Sequence, residues 1–312
     1  GTSSRLLMGL VGWHNITATF TGDASLIKRP MQRVMTPLEM MGAEFIAREG
    51  GRLPLTVKGA DDPLCIEYEL PVASAQVKSA ILLAGLSAAG QTTVVEKRPT
   101  RDHTENMLRH FGVQVEVEDL SNGAQAIHLV GQQALEPCAI DVPGDPSSAA
   151  FPTVAAAINE GSEITLLNVG MNDRRTGSYE TLKEKGADIH FENERLEAGE
   201  PVADSVEKGN GALKGIDVPE ARVPSMIDEV PVLAMVAACA DGTTTMTGLA
   251  ELRVKESDRL LLVAQGLKAC GVNLELGEDS LTILGTVKPP KGGAEIATAL
   301  DHRIAMSFLV LG

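Results

Sequence analysis

Aromatic side chains are scarce in this sequence: one Trp, two Tyr and six Phe amount to 3% of 312 residues. The core must therefore be built from Ala, Val, Leu, Ile and Met, which suit tightly packed, regular layers. Cysteine is rare too. Cys65, Cys138, Cys239 and Cys270 stand far apart without C-x-x-C spacing. They read as reduced thiols of a cytoplasmic protein, not as a disulfide frame or zinc site. Positive charge is short: 27 Lys and Arg face 42 Asp and Glu, a net charge of −15. That balance argues against nucleic acid and against anionic membrane surfaces as partners. No apolar run is long enough to span a bilayer. No basic region followed by an apolar core opens the chain, so no signal peptide is visible, and the first residues read as mid-domain sequence. The Walker loop and the G-x-G-x-x-G fingerprint are absent, which removes nucleotide hydrolysis and dinucleotide redox chemistry. His103 and His302 each follow an Asp, but no H-x-x-x-H spacing accompanies them, so no metal is expected.

What is present is a large apolar fraction, 44%, enough for a sizeable core and two domains. Internal repetition is the strongest organisational signal. Leu38-Glu39-Met40-Met41-Gly42-Ala43, Leu108-Arg109-His110-Phe111-Gly112-Val113, Leu182-Lys183-Glu184-Lys185-Gly186-Ala187 and Leu267-Lys268-Ala269-Cys270-Gly271-Val272 each read as a helix end, a Gly stop and the start of a strand. Around them recur a small-residue helix (74–86, 147–158, 226–240), a Gly-led β-branched strand, a charged corner and a second helix. The unit is β-α-β-α-β-β. Both ends of the chain fall inside such a unit, so the expectation is a piece of a longer repeat protein. A Pro-containing stretch of short side chains, 136–144, is the expected linker.

The most highly charged stretch is Leu252-Arg253-Val254-Lys255-Glu256-Ser257-Asp258-Arg259, between a strand-like run (243–249) and a helix-like run (260–270). On a helix, Lys255 and Arg259 would share a face. The plain reading is a solvated, self-paired first turn. The functional reading is two cations holding an anion while a carboxylate moves a proton.

Other candidates carry similar pairs of readings. Asp145-Pro146-Ser147-Ser148 is an N-cap with Pro at the first helical position, or a helix end facing a ligand oxyanion. Ser74-Ala75-Gln76-Val77-Lys78 opens a helix, either as a Ser cap with an exposed Lys or as a phosphate-capturing end. Ser225-Met226-Ile227-Asp228-Glu229 fits a capping box with Ser225 at the N-cap, or supplies a general base. Arg29-Pro30-Met31 reads as Pro at a first helical position beside a surface cation.

Taken together, these runs resemble the EPSP synthase family. The resemblance rests on Gly22-Asp23-Ala24-Ser25-Leu26 with Arg29-Pro30-Met31, Ser74-Ala75-Gln76-Val77-Lys78, Arg101-Asp102-His103-Thr104-Glu105, Pro143-Gly144-Asp145-Pro146-Ser147-Ser148, Ile227-Asp228-Glu229, the stretch from Leu252 to Arg259, and Asp301-His302-Arg303, in the family's order. The Arg-Asp-His-Thr-Glu run is similar to the glyphosate-tolerant bacterial class II. The resemblance implies an α/β (α+β) fold: a two-domain inside-out barrel of βαβαββ repeats, the enolpyruvyl transferase fold, here truncated. Residues 1–141 would be part of a first three-repeat domain lacking its first repeat. Residues 142–312 would be part of a second, lacking its C-terminal end.

It further implies transfer of the enolpyruvyl group from phosphoenolpyruvate to the 5-hydroxyl of shikimate 3-phosphate, by addition and elimination, in a cleft that closes on substrate. No cofactor is implied; the expected protein is a cytoplasmic monomer inhibited by glyphosate. The resemblance implies that Gly1, Arg29, Gln76, Arg259 and Arg303 hold phosphoenolpyruvate. Ser74, Ala75, Gln76, Arg101, Asp228 and Lys255 would hold shikimate 3-phosphate. Asp228 would accept the hydroxyl proton, and Glu256 would serve the methylene carbon. Gly1, Thr2 and Arg5 match the end of the family's Asn-x-Gly-Thr-x-x-Arg loop, and a methyl at Gly1 would crowd glyphosate. Thr100 stands where Ser is usual.

The family's Pro-Gly-Asp-Lys-Ser-x-x-x-Arg segment and its C-terminal Lys have no counterpart in these 312 residues. The expectation is that these residues alone bind poorly and turn over negligibly. Two other readings compete. UDP-N-acetylglucosamine 1-carboxyvinyltransferase shares the fold, but its reactive Cys is not found in 22–28. A non-catalytic repeat scaffold would leave the charged corners merely solvated.

Overall fold

The computed structural model describes residues 1–312, in two units, Gly1–Ile140 and Asp141–Gly312. In the first unit, α1 (Thr2–Gly12), β1 (Thr17–Phe20), α2 (Gln32–Met40), β2 (Glu44–Arg48) and β3 (Arg52–Lys58) form one repeat, with strands in the order β1-β3-β2. The next repeat contains β4 (Glu67–Glu69), α3 (Ala75–Gly85), β5 (Gln91–Glu96), α4 (His103–His110), β6 (Val115–Asp119) and β7 (Gln125–Val130), ordered β4-β5-β7-β6. Here β4 and β5 are parallel and the other pairs antiparallel. A parallel neighbour requires a crossover, and α3 supplies it.

The second unit repeats the plan. It begins with α5 (Pro146–Ile158), β8 (Glu163–Gly170), α6 (Gly177–Glu184), β9 (Asp188–Glu197) and β10 (Glu200–Lys208), ordered β8-β10-β9. The leading strand of this repeat is reduced to one parallel bridge, Gly144 to Val169. Then β11 (Asp217–Val218), α7 (Val230–Cys239), β12 (Asp241–Met246), α8 (Arg259–Ala269), β13 (Asn273–Leu276) and β14 (Leu281–Thr286) give the order β11-β12-β14-β13, that of the four-stranded sheet in the first unit. A last helix, α9 (His302–Leu311), follows.

The small-residue helices lie inside each unit. Every residue of α7 from Val230 to Ala238 is buried, as expected of a helix apolar on all sides. It packs in one core with Leu260, Leu267, Ile283 and Ile304. In the first unit, α1 and α3 approach so closely that a Cβ on Gly9 would lie 2.3 Å from the Ala80 carbonyl oxygen. Gly9 facing Ala80 permits that spacing, and small residues at such contacts let the core close without large aromatic side chains.

The repeated glycines work as the sequence suggests. Gly42, Gly112, Gly186 and Gly271 all have positive φ. Each donates its N–H three residues back, and the next residue donates to the carbonyl five back, as in Ala43 to Leu38 and Val272 to Leu267. These are Schellman caps. The sequence reading overlooked a second repeated glycine. A Cβ on Gly285 would sit 2.1 Å from the Ala240 carbonyl oxygen at the end of α7, and Gly59, Gly131 and Gly209 meet α1, α3 and α5 in the same way.

Four local expectations need correction. The helix expected from Met226 begins at Val230, and Ser225 is not its N-cap: its hydroxyl donates to the Arg222 carbonyl at 2.8 Å. Pro231 explains this, since proline belongs in the first helical turn. Lys255 and Arg259 do not share a helix face, because α8 starts at Arg259, capped by Asp258, and Lys255 lies before it. Pro30 precedes α2 and is not its first residue. Lys78 is neither exposed nor poised at the end of α3; it is fully buried.

Candidate active site

In the second unit, three segments converge: the turn before α7, the bend before α8 and the start of α9. Each brings charged residues to the start of a helix. Arg259 is at their centre, only 2% exposed. Its Nε donates to Asp301 Oδ2 at 2.8 Å, its Nη1 to Asp228 Oδ1 at 3.1 Å and its Nη2 to Glu256 Oε2 at 2.5 Å. Lys255 Nζ lies 3.5 Å from the same Asp228 oxygen. Arg303 Nη1 donates to the Asp228 carbonyl at 3.0 Å and faces Glu229 Oε1 at 3.4 Å. Asp228, Lys255, Glu256, Arg259 and Arg303 are thus brought together as expected from sequence. The difference is that Arg259 is not an open anion grip. Carboxylates take every edge of its guanidinium, which is how so deeply buried a cation is tolerated.

Asp301 and Glu229 join this group, though the sequence reading gave them no role of their own. Asp301 caps α9 through the Arg303 N–H at 3.0 Å and accepts from the Ser257 hydroxyl at 2.9 Å. Glu229 accepts from the Ser147 hydroxyl, which itself accepts from Arg175 Nη2 at 2.8 Å. Burial pushes the Glu229 carboxyl up, opposed by Ser147 and by the charges of Arg303 and Arg175. Asp145 caps α5 as expected, at 3.0 Å from the Ser148 N–H, and pairs with Arg175 at 2.9 Å. That pairing gives its oxygens a partner other than a ligand.

The first unit assembles a second group at the N-termini of α1 and α3. Gln76 Oε1 accepts from Arg5 Nη1 at 2.8 Å, and its amide donates to Thr2 Oγ1 at 2.8 Å. Gly1 lies against two arginines: a Cβ there would be 2.9 Å from Arg29 Nη1 and 3.6 Å from Arg5 Nη1. Ser74 caps α3, accepting from the Val77 N–H at 3.4 Å. Ala75 is the first helical residue and offers only its backbone N–H. Arg101 sits half-buried just before α4. Arg5 belongs to this group, and the loop match already pointed to it.

A groove of about 520 Å³ between α6 and the β9–β10 hairpin, lined by Tyr179, Lys183, Phe191 and Arg195 among others, contains none of these residues. No group of three or more His, Cys, Asp or Glu side chains is arranged to hold a metal ion. No helix is long and apolar enough to cross a membrane.

Comparison with known proteins identifies the family of the chain. Residues 1–312 match the model of the family described as EPSP synthase (3-phosphoshikimate 1-carboxyvinyltransferase). The 3-phosphoshikimate 1-carboxyvinyltransferase of Paramagnetospirillum magneticum is 61% identical over 312 residues, covering all of this chain and 70% of the relative. The solved structure of EPSP synthase from Acinetobacter baumannii superposes with a TM-score of 0.88 at 50% identity, covering all of this chain and 70% of that one. The enolpyruvyl transferase NikO of Streptomyces tendae, at 18% identity, shares the fold with a TM-score of 0.68 over 98% of this chain and 68% of its own. The chain belongs to the EPSP synthase (3-phosphoshikimate 1-carboxyvinyltransferase) family.

Proposed function

We propose that Asp228 and Glu256 carry the proton transfers of the family's reaction, and that the surrounding cations hold its two anionic substrates. The chain is a transferase. It moves the enolpyruvyl group of phosphoenolpyruvate to the 5-hydroxyl of shikimate 3-phosphate and releases phosphate. The observation that carries the site assignment is the Arg259 fork, bound at once to Asp228, Glu256 and Asp301.

The chemistry follows from the residue types. Asp228 takes the proton of the 5-hydroxyl as its oxygen attacks C2 of phosphoenolpyruvate. Glu256 delivers a proton to the C3 methylene, giving a tetrahedral ketal. Loss of phosphate, which carries away the proton taken up by Asp228, with return of a C3 proton to Glu256, regenerates the double bond in the product and restores both side chains. Lys255, between Asp228 and solvent, suits the shikimate 3-phosphate side. Arg29, beside Gly1, and Gln76 in the first unit, and Arg259 and Arg303 in the second, suit phosphoenolpyruvate, because forked guanidinium groups match carboxylate and phosphate oxygens. Ser74, Ala75, Gln76 and Arg101 suit shikimate 3-phosphate at the start of α3. Substrate anions replace Glu256 and Asp228 on Arg259, which frees both carboxylates for proton transfer. Cations arrayed in this way on a net-negative chain concentrate positive potential where it is used, and preorganised charge dominates such rate enhancements.

The same reading makes each unit part of a three-repeat domain, and the protein a cytoplasmic monomer that needs no cofactor. It makes glyphosate an inhibitor that competes beside Gly1. The test is phosphate release by D228A, E256Q and R259A in the full-length protein. Each is expected to lose at least about 100-fold in kcat/KM, the usual contribution of a positioned acid, base or charge. Retention of kcat/KM within threefold in both D228A and E256Q overturns the assignment.

A further inference from the structure

One lysine singled out by the sequence is left without a part in this chemistry. Lys78 follows Ser74, Ala75 and Gln76 by one helical turn, yet its side chain points inward and is fully buried. Its ammonium lies 2.6 Å from Glu105 Oε1 and 3.1 Å from Glu96 Oε1, and donates to the Thr100 carbonyl at 3.4 Å. Both glutamates are buried as well. Desolvating three charged side chains is expensive, and an apolar trio of similar volume would hold the fold at least as well. Stability alone therefore does not account for them.

Their connections suggest what does. Glu96 ends β5, and both its oxygens grip Thr100: Oε1 accepts from the Thr100 N–H at 3.0 Å and Oε2 from its hydroxyl at 2.7 Å. The four-residue turn is closed on Glu96 and presents Arg101 as its next residue. Glu105 lies in the first turn of α4 on the far side of Arg101. A second buried bridge, between the Ser79 and Thr104 hydroxyls at 2.6 Å, ties α3 to α4 beside it. One ammonium thus fixes the start of α3, the Thr100 turn and the start of α4. Burial pushes the Glu105 carboxyl up, against the pull of the Lys78 charge beside it.

We propose that Lys78 and Glu96 are positioning residues for shikimate 3-phosphate, holding the Ser74 end of α3 and the Thr100-Arg101 corner in one fixed geometry around the substrate. This inference rests on the assignment of Ser74 and Arg101 to that substrate. Neither Lys78 nor Glu96 touches it. They act through the backbone and hydroxyl of Thr100.

The test is steady-state kinetics of E96Q, K78M and R101A in the full-length protein, with thermal unfolding alongside. E96Q is isosteric and carries the test if K78M does not fold. Loss of charge-assisted bonds at Thr100 is expected to raise KM for shikimate 3-phosphate about tenfold in E96Q. KM for phosphoenolpyruvate should stay within twofold and kcat within threefold. A purely structural role would lower Tm or the active fraction and leave both KM values unchanged. That outcome, with R101A still raising KM for shikimate 3-phosphate, overturns the inference and leaves the site assignment standing. If R101A itself leaves that KM unchanged, the assignment of Arg101 fails and this inference falls with it.

Discussion

Arg259 and Asp301 are joined by a 2.8 Å hydrogen bond between two side chains shut off from water. Asp301 also caps α9, so one carboxylate sets both the pose of the central arginine and the start of the helix that carries Arg303. Asp301→Ala leaves the Arg259 charge buried with one fewer partner. The expected loss is about 3–5 kcal/mol, read as a fall of midpoint in urea unfolding. Asp301→Asn keeps an oxygen for the cap and should lose less. Equal losses in the two would contradict the charge argument.

Glu256 holds the outer edge of the same guanidinium at 2.5 Å. Glu256→Gln weakens this internal competitor while removing the proposed proton carrier. Binding and turnover should therefore part company. Affinity for phosphoenolpyruvate, measured by calorimetry in the presence of shikimate 3-phosphate, is expected to be unchanged or tighter. The kcat is expected to fall at least about 100-fold.

Gly1 is a steric control. A methyl there would come 2.9 Å from Arg29 Nη1. The end of the Arg29 side chain would have to swing aside to admit it, which moves a cation proposed to hold phosphoenolpyruvate. Gly1→Ala should weaken glyphosate inhibition about tenfold or more, measured as Ki against phosphoenolpyruvate. An unchanged Ki would remove Gly1 from the inhibitor site.

Glu207 gives a pH signature remote from the chemistry. It is fully buried, and hydroxyls of Thr153 and Ser205 donate to it at 2.9 and 2.5 Å. Burial pushes its carboxyl above the ordinary 4.5. An acid raised in the folded state favours folding fully below 4.5 and loses that contribution as pH rises through the folded value. Glu207→Gln should therefore flatten the decline in unfolding free energy as pH rises above 4.5, as followed by urea titration. A wild-type slope in the variant would refute this.

Lys185 runs the other way. Its ammonium is buried and donates to the Lys214 carbonyl at 3.0 Å and the Thr244 hydroxyl at 2.6 Å. Burial pushes it down from 10.5 to about 8. A base depressed in the fold favours folding above 10.5 and loses that contribution as pH falls to about 8, below which the penalty is constant. A shift of this size is worth roughly 3 kcal/mol, partly offset by the two hydrogen bonds. Lys185→Met is expected to raise stability at pH 7 by about 1–2 kcal/mol, seen as a higher Tm, and the gain should shrink as pH rises from about 8 toward 10.5.

The sequence made the repeat legible because it is punctuated by single residues with strong backbone preferences. Gly42, Gly112, Gly186 and Gly271 mark helix ends in any context, and Asp145, Ser74 and Asp258 mark starts. The residues around Arg259 were readable as a set of charges at one corner. Their pairing was not, because Asp228, Glu256 and Asp301 come from three segments that only the fold brings together. Lys78 failed in the opposite direction. Its place one turn from Ser74 suggested a surface cation, and only burial against Glu96 and Glu105 reveals its direction. The start of α7 was misplaced because the Ser225 cap signal was read ahead of Pro231, the stronger constraint.

The role proposed for Glu256, proton exchange with the methylene carbon of phosphoenolpyruvate, leaves an isotopic signature. Deuterium incorporation at that carbon, followed by NMR in D2O with shikimate 3-phosphate present, tests it directly. The account predicts incorporation by the unmodified full-length protein and a loss of at least about 100-fold in its rate for Glu256→Gln, with substrate binding retained. Incorporation at the unmodified rate in Glu256→Gln would contradict it.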